Sequence, residues 1–74
     1  MIVTVKLFAY FRDNRFAVEE RELPDNTKVG DVIDSLGIDR EETGVLMLNS
    51  RHCFADTELS EGDILAIFPV IGGG

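Results

Sequence analysis

Only one main stretch of this 74-residue chain repeats its apolar residues with helical spacing. Val29, Val32, Ile33 and Leu36 stand at i, i+3, i+4 and i+7, one apolar face of an amphipathic helix. Most other apolar residues alternate with a period of two or form a short continuous run, which are strand patterns. A lone helix must bury its apolar face against something, and here only strands are on offer. The chain is therefore expected to fold as two layers, one helix on one face of a sheet, in the α+β class.

The predicted helix is well bounded. Pro24, Asp25 and Asn26 break the preceding strand, Thr27 is the candidate N-cap, and Asp31 favours the positive end of the helix dipole. Gly37 fits the left-handed C′ position, with Ile38 packing back on Ile33. Gly30 inside the helix costs about 1 kcal/mol relative to alanine. Close packing against the sheet is the expected reason for keeping it.

Before the helix, Ile2 to Ala9 alternates as a strand with Val3, Val5, Leu7 and Ala9 towards the core, leaving Ile2 and Phe8 on the other face. Tyr10 to Arg15 loses the alternation, and Asp13-Asn14 is turn chemistry. Phe16 to Leu23 then reads as an antiparallel partner whose imperfect alternation implies a bulge or an edge position. Glu19, Glu20 and Glu22 would protect such an edge from pairing with other molecules.

After the helix, Asp39 to Thr43 forms a turn with Asp39 and Glu42 spaced as a capping box. Gly44 opens a strand at Val45 to Leu48, Asn49-Ser50-Arg51 turns, and a brief strand surrounds His52 to Phe54. Asp56 to Leu59 is loop or a single turn, and Glu61-Gly62-Asp63 turns into Ile64 to Phe68. That last strand is almost uniformly apolar, which predicts burial on both faces at the sheet centre. Pro69 has no N–H, so pairing should stop there on at least one side. The order ββαβ(β)β, with a mixed sheet of four to five strands, is the β-grasp arrangement: a domain over 1–69 and a flexible tail over 70–74.

Seventy-four residues hold one domain, which buries only about 60% of its unfolded surface and has little room for an enclosed active site. The formal net charge of −7 excludes a nucleic-acid binder of the usual basic kind. It suits partners with a basic face, or serves solubility alone. No apolar run approaches the roughly 20 residues of a membrane span, and MIVTVKLFAYF lacks the parts of a signal peptide. A single cysteine, Cys53, rules out an internal disulfide and fits a reducing, cytoplasmic setting. His52 and Cys53, adjacent in a strand, point to opposite faces and form no nucleophile–base pair. No metal-ligand spacing and no phosphate-cradling loop is present, so no bound cofactor is expected. The residues assemble no catalytic constellation.

The chain then runs through Pro69-Val70-Ile71 into Gly72, Gly73 and Gly74. Glycines without Cβ atoms can enter a slot too narrow for any other residue. From Val70 to Gly74 the extended reach is at most ~18 Å at about 3.6 Å per residue. The expectation is that the domain holds a Gly74 α-carboxylate out to other proteins; a frayed terminus is the plain alternative. Ile2, Phe8, Tyr10, Phe11 and Phe68 exceed what a one-helix core needs, and either extend that core or form a docking patch beside the tail.

Several of these stretches resemble one family. VTVKLFAYFRD, TKVGDVIDSLGI, LMLNSRH, the EGD turn and AIFPVIGGG are together similar to the MoaD/ThiS group of ubiquitin-like sulfur carriers, over the whole chain. The resemblance implies that a ubiquitin-activating-type enzyme uses ATP and magnesium to adenylate Gly74. Sulfur from a persulfide, supplied by a sulfurtransferase or cysteine desulfurase, then converts it to a thiocarboxylate. The implied carrier is not itself an enzyme. Val70, Ile71, Gly72, Gly73 and Gly74 would insert into a partner synthase, with Phe8, Phe68 and Pro69 docking against it. LFAYFRD and IFP resemble the small subunit of molybdopterin synthase, whose large subunit would be the partner. Val70, where that branch usually has a second proline, and the VIGGG ending lean towards the carriers that serve thiazole synthase in thiamine synthesis. Conjugation of Gly74 to lysines of other proteins is the alternative of another class.

Overall fold

The computed structural model describes residues 1–70. Five strands form one sheet: β1 (Ile2–Leu7), β2 (Val18–Glu22), β3 (Thr43–Leu48), β4 (Arg51–His52) and β5 (Ile64–Pro69), with a helix α1 (Val29–Ser35) between β2 and β3. The order across the sheet is β2-β1-β5-β3-β4. β1 and β5 run parallel, and the other neighbours are antiparallel. The mixed sheet with one main helix is the expected β-grasp, and β5 occupies its centre.

Alternation along the strands decides what is buried. Val3, Val5 and Leu7 of β1 and Leu65 and Ile67 of β5 have no exposed surface, and Val29, Val32 and Ile33 of α1 meet them. Leu46 and Leu48 of β3 and Leu36, just after α1, pack at the margin. Each such side chain contributes about 1.5–3 kcal/mol by leaving water. Among the described residues no buried side chain is polar, so the layer is purely apolar.

α1 ends as its sequence foretells. Gly37 takes φ +72°, its N–H donates to the Asp34 carbonyl (3.0 Å), and the Ile38 N–H donates to the Ile33 carbonyl (3.2 Å). This double closure is a Schellman motif, and Ile38 is buried with Ile33 in the core. The start lies one residue later than expected. Lys28 is the N-cap residue, and its N–H donates to the Asp31 carboxylate at 3.0 Å. Thr27 instead donates its hydroxyl to the Pro24 carbonyl at 2.7 Å, closing the turn before the helix.

Other expectations are corrected. Gly30 does not face the sheet: a Cβ there would lie 2.7 Å from the guanidinium of Arg40, which forks onto the Asp34 carboxylate (3.0 and 2.9 Å). Ala9 is exposed and starts a 3₁₀ turn (Ala9–Arg12) with φ +51°, so β1 ends at Leu7. That turn drives Phe11 into the core, at 2% exposure. β2 pairs with β1 in unbroken register, so its imperfect alternation reflects the edge position and not a bulge. Asp39 does cap the 3₁₀ turn Arg40–Glu42, accepting from the Glu41 N–H (2.9 Å), but Glu42 does not reach back to close a box.

The tip of the β3–β4 hairpin is tied to the entry of β5. Asn49 and Ser50 both have positive φ, as the right-handed twist of a two-residue hairpin demands. The Asn49 side-chain amide donates to Asp63 and its oxygen accepts from the Ile64 N–H, both at 2.9 Å. The turn and the EGD corner are thus one hydrogen-bonded unit.

Candidate functional site

The helix covers one face of the sheet, and the other is open. The register sets its composition: Phe68 lies beside Val45, and Ala66 lies between Met47 on β3 and Lys6 on β1. Ile64 pairs with Thr4, and Met47 with His52 of β4. The strip Ile64, Ala66, Phe68, Val45 and Met47 is therefore apolar and faces solvent, with Ile64 43% and Val45 39% exposed. This corrects the expectation that β5 is buried on both faces. Leu65, Ile67 and Pro69 are buried, whereas Ile64, Ala66 and Phe68 are not.

Phe8, just past the end of β1, stacks on Phe68 with ring centroids 4.1 Å apart and planes 11° from parallel. Arg12 holds its guanidinium 5.4 Å from the Phe8 ring centroid while its Nε–H donates to the Leu7 carbonyl at 2.7 Å. The attraction of the cation to the ring face adds to the stack. Two adjoining shallow grooves run along this face. One is lined by Gly44, Val45, Met47, His52, Phe68, Pro69 and Val70, the other by Lys6, Phe8, Met47, Ser50, Ile64, Ala66 and Phe68. Among the described residues no carboxylate lines either groove, although the chain is strongly acidic.

The chain leaves the sheet at the end of the first groove. Pairing of β5 with β1 stops at Ile67, while pairing with β3 continues to Pro69 opposite Thr43. The Val70 N–H still donates to the Glu42 carbonyl at 2.9 Å. Pro69 thus ends the ladder on one side, as its missing N–H requires. Glu42 also accepts a hydrogen bond from the Tyr10 hydroxyl (3.3 Å), and desolvation followed by this carboxylate raises the phenol above its ordinary range.

The sequence-derived site residues separate into groups. Phe8 and Phe68 are together on the open face. Pro69 is buried, so its ring lies on the opposite side of the strand from Phe68 and only borders the groove. Val70, 58% exposed, sits at the groove's end and is tied to Glu42. Ile71, Gly72, Gly73 and Gly74 lie outside the described residues. Of the apolar residues in apparent excess, Phe11 belongs to the core, whereas Ile2 and Tyr10 are exposed. His52 lines the open groove and Cys53 is buried on the other side, so they form no pair; burial pushes the Cys53 thiol up. Among the described residues no group of three or more metal-ligating side chains occurs. No helix among them is long and apolar enough to cross a membrane.

Two features went unread in the sequence. Val45, Met47, Ile64 and Ala66 join the phenylalanines in one patch, and the signal was the uniformly apolar β5 in a chain with only one helix to cover it. Gly44 is the second. An isolated glycine in a strand points to a bulge or a close backbone approach, and here both occur, with the register shifting between Thr43 and Val45.

A β-grasp sheet with an open apolar face, leading into a glycine-rich stretch, defines a ubiquitin-like fold. The ThiS family model matches residues 5–74, and the chain belongs to the ThiS family, a group of ubiquitin-like sulfur carriers. No curated protein sequence matches the chain. Among solved structures, a putative molybdopterin converting factor subunit 1 from Pyrococcus furiosus is similar, with 29% identity, a TM-score of 0.78, and 96% of this chain and 99% of that one covered. The small archaeal modifier protein 1 of Haloferax volcanii shares the fold at 20% identity and a TM-score of 0.75, over 95% and 98% of the two chains. So does a chain in the complex of subunits 1 and 2 of the Helicobacter pylori molybdopterin-converting factor, at 17% identity and a TM-score of 0.67 over the full length of both.

Proposed function

We propose that this chain carries sulfur on Gly74 for molybdopterin synthesis, docking through its open sheet face on an activating enzyme and then on the large subunit of a synthase. The observation that carries the pathway is the likeness, over nearly the whole of both chains, to a putative molybdopterin converting factor subunit 1. The site supports the docking role: the Phe8–Phe68 stack and its apolar neighbours lie beside Val70, where the tail departs. The four residues after Val70 span at most ~14 Å at about 3.6 Å each. A partner that grips the open face would therefore need its pocket for the terminal carboxylate within that distance of Val70.

The chemistry needs an activated carboxyl, because a free carboxylate has no leaving group better than oxide. ATP, with magnesium, forms the acyl-adenylate of Gly74 and releases pyrophosphate in the activating enzyme's site. The terminal sulfur of a persulfide displaces AMP, and a thiol cleaves the resulting S–S bond to leave the thiocarboxylate. The persulfide is supplied by a sulfurtransferase or cysteine desulfurase. On this reading the carrier lends no catalytic side chain, holds no cofactor, and works in the reducing cytoplasm.

The test is intact-mass analysis of the chain co-expressed with its activating enzyme. The expected result is a mass gain equal to one oxygen-to-sulfur exchange, lost after incubation with the large synthase subunit and a pterin precursor. Transfer only to a thiazole synthase would reassign the chain to thiamine synthesis, and isopeptide bonds from Gly74 to lysines would make it a protein modifier. An unchanged carboxylate with active enzyme present would sink the carrier reading.

A further inference from the structure

The contact between Gly44 and the end of β5 carries an inference that rests on the carrier reading and adds a residue to it. Gly44 is the extra residue of the bulge, lying between the pairs Thr43–Pro69 and Val45–Phe68. It is not among the glycines with positive φ, so its backbone does not by itself demand glycine. Space does. A Cβ at position 44 would sit 2.7 Å from the Pro69 carbonyl oxygen, 3.0 Å from the Pro69 carbonyl carbon and 3.0 Å from the Val70 Cα. All three are main-chain atoms, which cannot swing aside as a long side chain does. Gly30 makes the contrast, since the atoms a Cβ would meet there are the far end of Arg40.

The main chain at Pro69–Val70 is thus held against β3 by two features: the vacancy at Gly44 and the hydrogen bond from Val70 to Glu42. Both belong to the last residues before the tail. We infer that Gly44 is a positioning residue for sulfur loading: its missing side chain lets Pro69 and Val70 lie against β3, and so sets where and in which direction the chain leaves the domain at Val70, beside the docking face. A side chain at 44 pushes Pro69 and Val70 off β3 and changes the aim. Lys6, Met47, Ile64 and Ala66, farther from the bulge, stay where β1, β3 and β5 put them.

Gly44→Ala and Gly44→Val separate aim from docking. With the activating enzyme and ATP, adenylation of the Ala variant is expected to lose at least tenfold in kcat, and the Val variant more, with a smaller change in KM for the carrier because Gly44 also borders the docking groove. Amide exchange is expected to quicken at Val70 and remain slow at Leu65 and Ile67. A rise in KM at unchanged kcat, or wild-type kinetics, would overturn the inference, and so would a Val70 amide that exchanges as in the parent. If neither variant folds, the native protein still decides. Cross-relaxation between the Gly44 and Val70 Hα atoms and a protected Val70 amide are expected there, and their absence ends the proposal. A parent protein that is never adenylated would defeat the carrier reading instead, leaving the exchange experiment to judge the geometry alone.

Discussion

Phe8 lies half-buried on Phe68, whereas Phe11, three positions later, stands in the core with 2% of its surface exposed. Two identical side chains therefore have separable roles. Phe11→Ala is expected to cost about 3–5 kcal/mol in denaturant unfolding, the range for emptying a buried aromatic site. In a domain this small, that is enough to unfold much of the population. Phe68→Ala should cost far less stability, about 1 kcal/mol from the lost aromatic pair. Its effect should appear in binding, where truncating an aromatic anchor weakens association by about 2 kcal/mol or more. Titration of each variant against the large synthase subunit checks this, and equal losses in both assays for Phe68→Ala would remove the docking role. Charge follows the same residue-level division. Among the described residues no carboxylate lines the grooves, where Lys6 and His52 stand, so net charge describes the long-range field more than the contact surface.

At the level of elements, the helix shows what sequence pattern can and cannot reveal. Seven residues are too few for a helix stable on its own, so α1 is held by its apolar face against the sheet and by its ends. The face and the closing end were legible, Val29, Val32 and Ile33 by spacing and the Gly37–Ile38 closure by chemistry, whereas the N-cap fell on Lys28 and not on Thr27. The environment of Gly30 was not legible, because Arg40 lies beyond the helix and its reach back to Asp34 leaves no mark in local spacing. The two glycines should respond oppositely to alanine. Gly37→Ala forces a side chain into left-handed angles and is expected to destabilise by about 1 kcal/mol. Gly30→Ala gains up to about 1 kcal/mol of helix propensity and at most loses an exposed ion pair worth about 0–1 kcal/mol. Its unfolding midpoint should therefore stay level or rise; a fall would show that Arg40 cannot move away. β5 illustrates the other failure of pattern. Its unbroken apolar run was read as burial on both faces, yet one helix covers only one, and the surplus apolar residues form the open patch. The turn at Ala9 was missed because the alternation simply ends there, and nothing local reports that the chain folds Phe11 back under the sheet.

For the whole molecule, the folding machinery and the proposed chemistry occupy different parts of the chain. Among the described residues, the core and the sheet hydrogen bonds run as far as Val70. Deleting Gly73 and Gly74 is expected to leave the thermal midpoint within about 1 °C of the parent, because two glycines carry no side chain whose burial could set stability. The same deletion should abolish sulfur loading entirely, as intact mass would show. Retained function in the truncated protein would reduce the chain to a plain interaction module.

The parallel pairing of β1 with β5 has a mechanical consequence. Because the two strands run in the same direction, the start of β1 and the end of β5 lie at opposite ends of the pair. A pull on Val70 against an anchored Ile2 slides the strands lengthwise, loading their hydrogen bonds together instead of peeling them one by one. β3, antiparallel to β5 on its other side, takes up part of the same shear. On the proposed reading, a partner that tugged the tail away from an anchored β1 would load this pair in shear, the direction in which paired strands resist separation together rather than one bond at a time.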